Sequence, residues 1–214
     1  MIKLYGNKVS PPCNKVEMCL NALGIDYEFI SLDLFKGENK TDKYLAINPS
    51  GKVPAIEDGK LNLSESNAII KYLCRKVKSD FYPNDLVQQA EVDMWCDFVS
   101  QHLNMQGYLP IAFNRFVAKK IGLESNANEI KKGEEVINRF LPVIESQLNK
   151  TKYLVGEKLT IADLCLLASI DPSELIEVDL KPYPKLLAWR KNLQSQDFYK
   201  KTHKFYGECM MAKK

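Results

Sequence analysis

The chain has 214 residues, 45% of them hydrophobic, and its 30 basic and 27 acidic side chains leave a net charge of +3. That apolar content supports real cores and excludes a disordered chain. The charge is too balanced to argue for nucleic acid or an anionic membrane as partner.

Ile2 to Tyr5 reads as a short buried strand ending at Gly6. The opening MIKLYGNKVS lacks the apolar core of a signal peptide. No apolar run approaches the roughly 18 residues of a membrane span. From Pro12 to Leu23, Val16, Cys19, Leu20 and Leu23 recur at helical spacing, and Gly24 ends the run. Tyr27 to Leu32 alternates as a second strand. Strand, helix and strand within about 30 residues imply a right-handed βαβ unit with parallel strands.

A polar segment, KGENKTDKYLAINPSG, follows, with one helical turn expected over Asp42 to Ala46. Val53 to Glu57 and Lys60 to Leu63 read as a hairpin, with Asp58-Gly59 as its turn signal. A helix is expected from Glu65 to about Lys76. The stretch VKSDFYPNDLV reads as a linker, and every later signal is helical. Leu86 to Lys119 is one long helix or two, bent near Gly107 to Pro110. Glu129 to Leu148 is another, with a kink expected at Pro142. LTIADLCLLASI is an apolar helix opened by Thr160 and Asp163 in a capping-box arrangement. Shorter helices follow over Tyr183 to Asn192 and Gln194 to Lys201. The expected organisation is an α/β domain over residues 1–78, a linker over 79–87 and an all-α domain over 88–214.

The six cysteines, Cys13, Cys19, Cys74, Cys96, Cys165 and Cys209, form no CxxC pair. Five fall in expected helices, where a free thiol behaves as a small hydrophobe. They read as reduced thiols of a cytoplasmic protein. His102 and His203 are far apart and neither lies near a cysteine pair, so no metal site is expected.

Three short stretches carry chemistry. In VSPPCNKVEMCL, Pro12 pushes Pro11 away from the α region, so Ser10 falls just outside the first turn. It is either a plain cap or a hydroxyl aimed at an anion over the helix terminus. Val53-Pro54 heads a strand. It is either a cis bond that frees the Val53 main chain to pair with an extended peptide, or an ordinary trans bond, which base rates favour. Ser64-Glu65-Ser66 opens a helix, either as a cap or as a grip for an amino-acid end group, with a carboxylate on Ser66 and an ammonium on Glu65.

Taken together, KLYGNKVSPPCNKV, AINPSGKVPAIEDGKLNLSESNAIIKYL and YLVGEKLTIADL resemble the cytosolic glutathione S-transferases along the whole chain. Ser10 sits where the serine-type, theta-like and phi-like classes carry their serine. The resemblance implies a thioredoxin-like N-terminal domain, βαβ then ββα around a mixed four-stranded sheet, and an all-helical C-terminal domain. It implies that Ser10 activates the thiol of glutathione, the co-substrate. Glu65 and Ser66 would hold its γ-glutamyl end, Val53, beside Pro54, its cysteinyl main chain, and Lys40 and Lys52 its glycine carboxylate. Asn39 stands where the phi-like class often has histidine. The second substrate, a small apolar electrophile, would meet Val9, Met105, Leu109, Phe113 and Tyr206 between the domains. The implied protein is a cytoplasmic homodimer serving detoxification, with no nucleic-acid or membrane partner. Glutathione-dependent peroxidase or dehalogenase activity, or a non-catalytic binding role, are the alternatives. Cys13, three residues after Ser10, reads as packing, because the first cysteine of a redox CxxC is replaced.

Overall fold

The structure is a computed structural model and describes residues 1–202; Tyr206, His203 and Cys209 lie outside the described residues. The described residues divide into two compact units, residues 1–82 with 195–202, and Pro83–Gln194.

In the first unit, β1 (Ile2–Gly6), α1 (Pro11–Leu23) and β2 (Tyr27–Ser31) form the expected βαβ unit, with β1 and β2 parallel. Gly24 takes φ 64° at the end of α1, the left-handed conformation that stops a helix cheaply only with glycine. Two 3-10 turns, Leu34–Lys36 and Glu38–Lys40, lead into the single turn α2 (Asp42–Leu45). β3 (Ala55–Asp58) and β4 (Leu61–Ser64) follow, and α3 (Ser66–Lys76) closes the unit. The sheet order is β2-β1-β3-β4, with β1/β3 and β3/β4 antiparallel. Asp58 pairs with Leu61, so the hairpin turns on Gly59-Lys60, one residue later than expected. Only Gly59 of the two has positive φ, 62°, as a type II′ turn demands of its first residue.

Alternation divides the strands between two faces. Tyr5 and Ala55 pack with Tyr44 on one side, with Ile30, Leu32, Ile47 and Val53 around them. Ile2, Leu4 and Ile56 fall on the other side, the side of α1 and α3, whose Val16, Cys19, Leu20, Ile69, Ile70 and Leu73 are fully buried. α1 packs against α3 and also against α10 (Asp197–Lys201), a helix expected in the second domain. Covered on several sides, α1 is buried continuously from Cys13 to Leu20, including Asn14, Lys15 and Glu17.

The second unit is helical. α4 (Leu86–Asp97) continues through a π-helical segment, Phe98–Tyr108, then α5 (Leu109–Ala112), a second π-helical segment, Phe113–Val117, and α6 (Ala118–Lys120). The expected bend near Gly107 therefore appears as a change of hydrogen-bond register within one rod. Gly107 serves packing instead. A Cβ there would stand 2.9 Å from Cγ1 of Ile137, and one on Gly133 would stand 2.8 Å from the Gly107 carbonyl oxygen. Both glycines let the rod and α7 (Ala127–Leu148) approach backbone to backbone. α7 contains Pro142 and stays one helix.

α8 (Ile161–Ile170) is buried at every residue, as its all-round apolar sequence requires. Its capping box forms as expected. The Thr160 N–H donates to Asp163 Oδ2 at 3.0 Å, and Asp163 Oδ1 accepts from the Leu154 N–H and from Nε1 of Trp189. α9 (Pro184–Gln194) completes the unit. Among the described residues, no helix is long and apolar enough to cross a membrane.

Candidate active site

The strand register brings the three chemical stretches to one end of the sheet. β1 ends at Gly6, where Tyr5 pairs with Ala55, and Ala55 pairs with Ser64 at the end of β4. The turn carrying Ser10, the Val53-Pro54 step into β3, and Glu65-Ser66 at the start of α3 therefore leave the sheet at the same edge. The N-termini of α1 and α3 point the same way, because each follows a strand leaving that edge.

Asn7 builds the turn before Ser10, and the sequence reading did not single it out. Its carbonyl accepts from the Ser10 N–H at 3.0 Å. Its side chain donates to the Leu32 carbonyl at 2.8 Å and accepts from the Val9 N–H at 3.1 Å. An asparagine directly after a strand, able to bond the backbone N–H two residues on, was the available signal. Lys8 pins the turn from outside, with Nζ 2.5 Å from Glu17 Oε1 and 3.9 Å from the centre of the Phe29 ring. Glu17 also accepts from the Tyr27 hydroxyl at 2.9 Å.

Ser10 is extended at φ −89°, ψ 116°, and its hydroxyl makes no cap bond to α1. Its side chain lies beside Cys13, whose sulfur accepts from the Asn7 N–H at 3.4 Å. Burial pushes the Cys13 thiol up to about 11, more than Ser10 and the Asn7 N–H pull it down. Cys13 is thus a packed thiol, as expected, and a Cβ at Gly6 would stand 3.1 Å from its sulfur. Tyr5 cannot take the place of Ser10. It is buried, its hydroxyl donates to Glu57, and burial raises its pKa to about 12.

The Val53-Pro54 peptide bond is cis, against the expectation from base rates. The neighbouring backbone is held by three side chains. Asn39 donates to the Gly51 carbonyl at 2.6 Å, while Tyr44 and Asn48 both donate to the Lys52 carbonyl, at 2.5 and 2.6 Å. Asn39 thus spends a donor on the chain itself, and its buried Oδ1 has no partner among the described residues. The Val53 N–H and C=O have none either. Lys40 and Lys52 are exposed, with side chains that make no hydrogen bond or ion pair among the described residues.

Glu65 sits at φ 65°, ψ 107°, a left-handed backbone that a side chain rarely adopts. Its exposed carboxylate and the Ser66 hydroxyl are without partners among the described residues. Capping therefore does not account for either side chain.

The second-substrate candidates divide between the units. Val9 is half-buried in the Ser10 turn. Met105, Leu109 and Phe113 lie along the rod of the second unit, 54%, 47% and 38% exposed, so none is core. Met105 edges a cleft of about 570 Å³ with Gln106, Pro110 and residues of α7, which Leu109 and Phe113 do not line. Tyr206 lies outside the described residues.

Comparison with known proteins agrees with this architecture. Residues 4–80 match the family described as glutathione S-transferase, N-terminal domain, and residues 101–197 the glutathione S-transferase C-terminal domain. A probable glutathione S-transferase GSTF2 of Oryza sativa subsp. japonica is 35% identical over 204 residues, covering 91% of this chain and 92% of the relative. Glutathione S-transferase 3 of Zea mays is 32% identical, covering 94% and 92%. The crystal structure of glutathione transferase F7 from Populus trichocarpa superposes with a TM-score of 0.87 at 32% identity, covering 94% of this chain and 97% of that one. A glutathione S-transferase-I structure bound with lactoylglutathione superposes with a TM-score of 0.85 at 30% identity and the same coverage. With both halves matched in order and a thioredoxin-like sheet followed by a helical unit, the chain belongs to the glutathione S-transferase family of enzymes.

Proposed function

We propose that this enzyme conjugates the thiolate of glutathione to small apolar electrophiles as a serine-type transferase. The supporting observation is the set of unpartnered groups at one sheet edge: the Val53 main chain, the Glu65 carboxylate, and the Ser66 hydroxyl and N–H. They match in kind the extended main chain, ammonium and carboxylate of a γ-glutamyl peptide. Lys40 and Lys52 supply positive charge for its second carboxylate. The relative solved with lactoylglutathione supports the same ligand class.

Ser10 acts as hydrogen-bond donor to the glutathione sulfur. A serine hydroxyl is too weak a base to take the thiol proton, so it stabilises the anion rather than removing the proton. A free thiol has a pKa near 8.5, and lowering it by two units requires about 2.7 kcal/mol of preference for the thiolate. One hydrogen bond to a charged acceptor, together with the helix terminus, supplies this order of energy. The thiolate then attacks an electrophilic carbon and the leaving group departs. Val9, next to Ser10 in the turn before α1, is the side chain proposed to meet the electrophile.

Ultraviolet absorbance of bound glutathione against pH, for the native protein and Ser10→Ala, tests the role of Ser10. The native complex titrates well below the free thiol, and the variant returns toward it with a loss in kcat/KM on the order of tenfold to a hundredfold. Equal titration of the two would remove Ser10 from the chemistry. Retention on immobilised glutathione with no turnover of any generic electrophile would replace the transferase reading with a binding role.

A further inference from the structure

Glu17 is a buried carboxylate that neither packing nor helix formation requires. It is 2% exposed, in a run of α1 where Val16, Met18, Cys19 and Leu20 are apolar and buried. A charge enclosed there is costly unless it is paired and hydrogen-bonded. Its Oε1 meets Lys8 Nζ at 2.5 Å and the Tyr27 hydroxyl at 2.9 Å, while the enclosed Oε2 has no partner among the described residues. An apolar side chain of similar size would avoid that cost, so what the carboxylate adds is its hold on Lys8 and Tyr27. Lys8 belongs to the turn between β1 and α1, two residues before Ser10. Asn7 bonds the N–H groups of Val9 and Ser10, but the main chain of Lys8 makes no hydrogen bond among the described residues. This part of the turn is therefore fixed by the Lys8 side chain, which lies over the Phe29 ring at 3.9 Å and ends on Glu17. The turn is tied to β2 through Phe29 and to α1 through Glu17.

An exposed ion pair contributes little, because water competes for both partners. Here the carboxylate is enclosed and only the ammonium reaches solvent. The two charges act on the Cys13 sulfur, just past Ser10, in opposite senses, Lys8 lowering its pKa and Glu17 raising it. Their fields offset at the head of α1, and the position they impose on the turn is what remains. A hydrogen bond weakens steeply once its angle or distance is lost, so the placement of the Ser10 hydroxyl decides what it can stabilise. We propose that Glu17 and Lys8 form a clamp that holds the turn where the Ser10 hydroxyl can bond the glutathione sulfur. The inference rests on the Ser10 donor reading above. Both are positioning residues, acting through the backbone of residues 8–10 rather than on the reacting atoms.

Ultraviolet titration of glutathione bound to the full chain, alongside kcat, glutathione affinity and the urea midpoint, tests the clamp. Lys8→Met and Glu17→Gln each raise the pKa of the bound thiol by about one unit and lower kcat about tenfold, with glutathione affinity nearly unchanged. The double variant is no worse than either single one, because all three remove the same contact. Lys8→Arg retains most of kcat, and in a Ser10→Ala background Lys8→Met has no further effect. A lower urea midpoint with thiol titration and kcat unchanged would make the pair structural only. Thiol shifts of opposite sign in Lys8→Met and Glu17→Gln would make it a source of field rather than a clamp. If Glu17→Gln does not fold, Lys8→Met and Lys8→Arg decide the question, since Lys8 lies in a half-exposed turn. A Ser10→Ala effect with Lys8→Met silent refutes the clamp alone. Equal titration of native protein and Ser10→Ala overturns the Ser10 reading, and the clamp with it.

Discussion

The proposed donor role falls on the Ser10 hydroxyl because of its two neighbours. Pro11 and Pro12 occupy the first positions of α1 and have no N–H to offer, and the Asn14 N–H is bonded to the Ser10 carbonyl at 3.0 Å. The terminus keeps its dipole but loses most of its donors, which is why the proposal gives the directed bond to the hydroxyl. Its aim depends on Asn7, whose side chain ties the turn to Leu32 and to Val9. Asn7→Ala removes both bonds. It lowers stability by about 1–2 kcal/mol and kcat about tenfold, with glutathione affinity nearly unchanged. Urea unfolding and pre-steady-state kinetics separate these effects, and an unchanged kcat would make Asn7 a purely structural residue. Ser10 as a candidate was readable from the motif. Asn7 was not, because its importance lies in bonds to Leu32, 25 residues away.

At the scale of the element, α8 shows how one side chain secures a helix that is apolar all round. Asp163 is fully buried and accepts from Leu154, Thr160 and Trp189, all donors, so an amide in its place would turn N–H against N–H. Asp163→Asn is expected to cost about 2–4 kcal/mol, read as a shift in the urea midpoint. The carboxylate also gives stability a pH dependence. Burial outweighs its hydrogen bonds and raises its pKa from 3.8 to about 6. Between these values the folded chain holds a proton that the unfolded chain has lost, so the contribution of Asp163 falls as pH rises from about 4 to about 6 and is flat above. The full change is about 3 kcal/mol at 1.4 kcal/mol per unit. Urea unfolding of native protein and Asp163→Asn across that range measures it as their difference. A difference independent of pH would mean that the carboxylate is ionised throughout. The capping box was legible because Thr160 and Asp163 are three residues apart. The bonds from Leu154 and Trp189 were not, since both come from other segments.

For the whole molecule, the family implies a homodimer, and sedimentation velocity at micromolar concentration is expected to show a species of twice the chain mass. A single monomer boundary would contradict this. The order of strands and helices, the cap of α8 and the candidate ligand groups could all be read from the 214 residues, because periodicity, turn chemistry and short motifs are local properties. The tertiary structure decided what those local rules cannot reach. Helix α1 looked one-sided in its apolar spacing, yet α10, about 180 residues later, packs against it, and Asn21 donates to Thr202 across that contact at 3.0 Å. Burial depends on what arrives from elsewhere in the chain, and it turned Lys15 and Glu17 from surface charges into enclosed ones. Likewise, the segments carrying residues 10, 53 and 66 leave the sheet at one end only through the register of β1 with β3 and β3 with β4. The sequence alone offered the candidate groups, because motifs are local; long-range pairing determined that their segments leave the sheet at one end, because register joins strands distant in the chain.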